Sequence, residues 1–229
     1  MMIVRILATV VSVLVGSAAT AAEMNFPVGA FDRISLGGSP DVMVTTGKTV
    51  GVHASGDQRA LDRLDIRVEG GTLKIGNKRS LGMSWGNYGQ VRIAVTVPMV
   101  RALDVGGSGN ITVDRIKVPT FAAAIGGSGN VRIAALDSQT ASFDVAGSGD
   151  ITAAGRCDSA SLTVAGSGNI SLTGLKCGSL KASIAGSGDI DAHASQTASL
   201  SVVGSGDINV TGGARCSVSK HGSGSVNCA

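Results

Sequence analysis

The chain has 229 residues, a net charge of +3, 34 glycines, 3% aromatic residues and 15% charged residues. Glycine stands at roughly twice its usual ~7% share, yet Val, Ile, Leu and Ala are plentiful, which excludes an intrinsically disordered chain. No Lys/Arg cluster is present, which excludes nucleic acid as a partner.

Residues 1–22 read as a secretory signal peptide. Arg5 precedes an apolar run from Ile6 to Val15, and small residues follow. Ala19-Thr20-Ala21 and Thr20-Ala21-Ala22 both fit the small-x-small cleavage pattern. The apolar run falls short of the ~20 residues that cross a bilayer. The reading predicts an exported protein, periplasmic, on the outer surface or secreted, with no integral membrane segment after signal cleavage.

Residues 23–100 carry less glycine and more charge, and are expected to form the N-terminal β-rich part and cap of a solenoid. Phe31 to Thr46 reads as strands around Gly38-Ser39-Pro40-Asp41-Val42. Asp57 to Leu64 reads as one short helix with Ser55 or Asp57 as its cap. Ile66–Glu69 and Thr72–Ile75 read as a hairpin turned by Gly70-Gly71, and Val91–Val97 as a strand ended by Pro98. The segment between them holds the only Trp and the only Tyr, Trp85 and Tyr88. It reads as a hairpin tip folded onto the coil or as a binding loop, since aromatic residues dominate binding hot spots.

Residues 101–229 contain a repeat. Its copies are Gly107-Ser108-Gly109-Asn110, Gly127-Ser128-Gly129-Asn130, Gly147-Ser148-Gly149-Asp150, Gly166-Ser167-Gly168-Asn169, Gly186-Ser187-Gly188-Asp189 and Gly204-Ser205-Gly206-Asp207. A degraded Gly222-Ser223-Gly224-Ser225 follows, and the steps are 20, 20, 19, 20, 18 and 18 residues. Gly38-Ser39-Pro40-Asp41 is an imperfect earlier copy. Apolar residues alternate before each turn, as in Phe143 and Val145, and after it, as in Ile170 and Leu172. Alternation with period two marks half-buried strands. One such coil cannot bury its apolar face alone, whereas coils stacked ~4.8 Å apart share a continuous core. The fold predicted is all-β: a parallel β-helix, or β-solenoid, with 18–20 residues per coil. The glycines are expected to supply positive φ, and Asn and Asp to tolerate the left-handed region.

The register pairs the cysteines. Cys157 lies ten residues after Gly147 and Cys177 eleven after Gly166, so adjacent coils bring them within disulfide reach. Cys216 and Cys228 then staple the last coil. A zinc site, the rival reading of four cysteines, lacks any CxxC pair.

The repeated Gly-Ser-Gly-Asn/Asp-Ile, with Phe31-Asp32-Arg33-Ile34 and Asp41-Val42-Met43-Val44 before it, resembles the bacterial family of autotransporter adhesins with a head GIN domain, over residues 25–226. The resemblance implies an exported β-helical module with an adhesive role, and brings no catalytic residues.

Stacked turns align Asn110, Asn130, Asp150, Asn169, Asp189 and Asp207 in a column. Asp150, Asp189 and Asp207 are the candidate ligands of a calcium-binding edge, against the simpler reading of a polar turn ladder. The histidines, His53, His193 and His221, are isolated, and the scattered Asp residues lack the pairing that glycoside hydrolysis needs. No catalytic residue and no cofactor is expected. Two readings follow. One is a non-catalytic module that binds glycan, matrix or an envelope protein, or has a structural role at the cell envelope. The other is a β-helical polysaccharide lyase or hydrolase, or a calcium-stabilised surface protein.

Overall fold

The structure is a computed structural model and describes residues 22–78 and 90–229. The elements run β1 (Ala22–Phe26), β2 (Arg33–Leu36), β3 (Asp41–Thr46), β4 (Gly51–Gly56), α1 (Gln58–Leu61), β5 (Leu64–Glu69), β6 (Thr72–Asn77) and β7 (Arg92–Val97). They continue through β8 (Ala102–Val105), β9 (Asn110–Val113), β10 (Ile116–Lys117), β11 (Thr120–Ile125), β12 (Val131–Val145), β13 (Ile151–Gly166) and β14 (Ile170–Gly186). The last are β15 (Ile190–Gly204), β16 (Ile208–Thr211), β17 (Arg215–Gly222) and β18 (Val226–Cys228).

From β8 onward every pairing is parallel and joins one coil to the next, as in Val145 to Val164 to Ile184 to Val202. The chain is a parallel β-solenoid. The interior is made of aliphatic columns, one residue per coil. Ile75, Leu36, Val105, Ile125, Val145, Val164, Ile184 and Val202 form one of them, all buried. Phe121 is in register with Ala141 and Phe143 with Ala123, so the two rings fill neighbouring columns and meet tilted, with centroids 6.0 Å apart. Ile116, Leu136 and Leu175 point into the same core from a third side. Two-sided strands with this alternation bury one face and leave the other wet, which is why the sequence shows period two rather than an unbroken apolar run.

The coils differ in length, and bulges absorb the difference. Between β13 and β14 the register shifts after Thr152, so that Ala154 pairs with Gly174 and Cys157 meets Cys177. The unequal offsets of the two cysteines are cancelled there. Their Cα atoms are 4.6 Å apart and the disulfide is formed inside the core. Cys216 and Cys228 form the second disulfide, with Cα atoms 6.6 Å apart.

The N-terminal part stacks out of chain order. β2 lies between β6 and β8, and β3 between β7 and β9. The first coil in sequence is therefore the second in space. Beyond β6 and β7, antiparallel strands close this end: β5 pairs with β6, β4 with β7, and β1 with β4. The helix is one turn long, Gln58–Leu61, shorter than the segment expected. Asp57 caps it by accepting from the Arg59 amide at 2.9 Å, and Ala60 and Leu61 are buried over the core end. Leu64 belongs to β5 instead, because its side chain is needed in the core.

Candidate functional site: the glycine corner and the outer face

Each Gly-Ser-Gly corner stacks on the one below. The amides of Ser128 and Gly129 both donate to Gly107 O, each at 3.0 Å, and the pattern recurs up the solenoid. The second glycine is packed hardest. A Cβ on Gly129 would stand 2.0 Å from Gly109 O and 2.8 Å from Val105 Cγ1. That corrects the expected role of these residues. Only Gly166, Gly186, Gly204 and Gly222 among the seven repeat copies use a positive φ, at 131–145°, and the second glycine never does. Among the described residues no Asn or Asp has positive φ. Glycine is required because adjacent coils touch backbone to backbone.

Asn and Asp have a different task. Each side-chain Oδ1 accepts the backbone N–H of the equivalent residue in the next coil. Asn110 accepts from Asn130 N at 3.1 Å, Asp150 from Asn169 N at 3.0 Å and Asp189 from Asp207 N at 2.9 Å. Both residue types carry that oxygen, so they interchange. The three candidate calcium ligands are all engaged this way, Asp207 taking the Ser225 amide at 2.6 Å. Asp150 lies between Asn130 and Asn169 rather than beside another carboxylate. Asp189 and Asp207 do occupy successive coils. Among the described residues no group of three or more His, Cys, Asp or Glu could hold a metal.

The outward face after the corner is one continuous sheet. A single row of side chains crosses eleven strands: Asn25, His53, Ala94, Met43, Thr112, Arg132, Thr152, Ser171, Asp191, Asn209 and Asn227. Where antiparallel β4 joins parallel β7 and β3, this face holds a groove of about 800 Å³ lined by Met43, His53, Arg92, Asn110, Arg132 and Asp150, among others. His53 Nδ1 donates to Asn25 Oδ1 across 2.9 Å, and its Nε2 lies 3.8 Å from Glu23 Oε2. Met43 is 64% exposed on the groove floor. Arg92 and Arg132 make no ion pair with other described residues.

The repeat pattern does not reveal the groove. Met43 was legible as an outward position, since it sits between buried Val42 and Val44. His53 and Asn25 join it only through antiparallel pairings that no repeat announces. Trp85 and Tyr88, the candidate binding loop, lie outside the described residues, as does the predicted signal segment up to residue 21. Among the described residues no helix is long and apolar enough to cross a membrane.

Charge pairing on the other faces is local. Asp137 and Arg156 are cross-coil partners, joined by two hydrogen bonds of 3.0 and 2.7 Å, and the guanidinium holds the Asp137 carboxyl below its usual range. Glu69 is held down to about 2 by the Lys74 ammonium and the Arg67 guanidinium. Asp104 is pushed up by partial burial.

No curated protein matches the chain. Solved structures do. A "putative adhesin" from Bacteroides fragilis superposes with a TM-score of 0.84 at 24% identity, covering 93% of this chain and 98% of that one. A "putative lipid binding protein" from Parabacteroides distasonis superposes at 0.74 with 29% identity and the same coverage, 93% and 98%. A further "putative adhesin" from Parabacteroides distasonis gives 0.71 at 20% identity, again covering 93% and 98%. The family model described as "Putative auto-transporter adhesin, head GIN domain" matches residues 30–214, and the chain belongs to that family.

Proposed function

We propose that this protein is an exported, non-catalytic binding module of the bacterial cell envelope, which holds an extended partner such as a glycan chain, matrix or another envelope protein against its outer sheet. The observation that carries this reading is the row from Asn25 to Asn227, polar at every one of its eleven strands but those of Ala94 and Met43. Parallel coils repeat the same short polar positions at the ~4.8 Å strand spacing. Such a face suits many weak, repeated contacts along a linear partner. The Asp residues of the corner are committed to backbone amides, which favours a scaffold role over acid–base chemistry. A structural neighbour from Parabacteroides distasonis is described as a "putative lipid binding protein", which makes lipid a partner to include in the assay.

The test is a glycan array probed with the purified protein, with liposome flotation and reducing-sugar release measured alongside. Retention on a glycan or surface without release of reducing ends is the expected result. Release of sugar without retention would replace this reading with the lyase or hydrolase one.

A further inference from the structure

The two ends of the solenoid are closed by different means. At the N-terminal end, α1 and antiparallel β4 and β5 cover the core. At the other end β17 pairs with β15 on one side, and no described strand pairs with it on the other. Such an edge is a template for strand addition. Its inward positions show an unfinished core. Val218 continues the column of Leu200, which is 1% exposed, yet Val218 itself is 51% exposed.

The neighbouring column ends differently. Val105, Ile125, Val145, Val164, Ile184 and Val202 are followed in register by Lys220. A charged residue therefore stands at a core position. Its Nζ donates to Gly224 O at 2.8 Å. That carbonyl is equivalent to Gly109 O and Gly206 O, against which the second glycine of the following coil packs. Lys220 thus occupies the place where another corner would sit.

We propose that Lys220 is the stop residue of the solenoid, and that its ammonium closes the β17 edge against pairing with the same edge of a second copy of this chain. The occupant follows from the register. The outer edge of β17 is unpaired among the described strands, and a second molecule turned tail to tail presents the same eight-residue strand, which would pair with it antiparallel across a two-fold axis. Stacking there would bury the ammonium without a counter-charge and remove it from Gly224, which is costly. Inward charges of this kind are a known means of blunting an edge.

The test is the solution mass of the purified, disulfide-intact protein, measured by light scattering across a roughly hundredfold dilution series, because association follows mass action. Lys220→Val continues the column, and Lys220→Leu repeats the test with a longer side chain. Both are expected to rise toward twice the wild-type mass at high concentration and to fall back on dilution. Lys220→Arg keeps the charge and should match wild type. Adding Val218→Lys to Lys220→Val should restore the wild-type mass. The proposal is overturned if both apolar variants track wild type throughout, if Lys220→Arg associates as they do, or if the double variant stays associated.

Discussion

Asn110 donates from Nδ2 to Asp41 Oδ1 across 2.7 Å, joining two residues 69 positions apart in the chain. The bond shows that the imperfect turn at Gly38 is the first rung of the same ladder, with the β4–β7 excursion looped out between the two rungs. It also shows how the Asn/Asp column works, since the acceptor is Oδ1, the atom both residue types share.

The tightness of the glycine corner predicts a sharp contrast between a glycine inside a corner and one just outside it. Gly149→Ala would place a Cβ 2.0 Å from Gly129 O and 2.9 Å from Ile125 Cγ2. The backbone carbonyl cannot move without shifting a coil, so a loss of about 3 kcal/mol is expected. Gly126→Ala meets nothing within 4 Å and should stay within about 0.5 kcal/mol of wild type. Urea unfolding of the two variants checks this; equal effects would refute the packing account of the repeat.

The ladder predicts that acceptor and charge can be separated at Asn169. Asn169→Ala removes the oxygen that takes the Asp189 amide at 3.0 Å, for a loss of about 1 kcal/mol. Asn169→Asp keeps the oxygen but sets carboxylates in consecutive coils from Asp150 to Asp207. Like charges on neighbouring strands repel by about 0.2–1 kcal/mol, and salt screens them. The Asp variant should therefore recover its melting temperature in high salt and the Ala variant should not. Calcium added to the Asp variant tests the cation-edge idea directly, against a chelator control.

The Cys157–Cys177 bond closes a separation of 20 residues. The chain-entropy model assigns such a loop about 3 kcal/mol. Cys157→Ala with Cys177→Ala should lower stability by that order, seen by calorimetry. Reductant should then shift the melting temperature of this variant less than that of wild type, since only Cys216–Cys228 remains.

Acid should act through Glu69. Its folded pKa, about 2, lies below its ordinary 4.5, so the folded state binds its proton less readily than the unfolded chain. A depressed carboxylate stabilises fully above its unfolded value and loses that contribution as pH falls through the folded one. The gap in melting temperature between wild type and Glu69→Gln should thus be present at neutral pH and close between pH 4.5 and about 2. The triad with Lys74 and Arg67 is exposed, so the gap is expected to be smaller than that from Gly149→Ala. A gap that widens in acid would contradict the assignment.

By itself the sequence determined the solenoid, its coil length, the alternation of its core and the pairing of its four cysteines. It could do so because each is a local pattern repeated at fixed spacing: Val145, Val164, Ile184 and Val202 share one place in the repeat, so their stacking is written into it. It misjudged the glycine and Asn/Asp roles, which depend on how close the next coil comes. Only the tertiary structure decided the order of the first coils and the groove around Met43, His53 and Arg92. Those rest on single, non-repeating pairings between distant strands, such as His53 with Ala94 and Leu36 with Ile75. A contact made once leaves no period in the chain, and its partner is fixed only when the core closes around it.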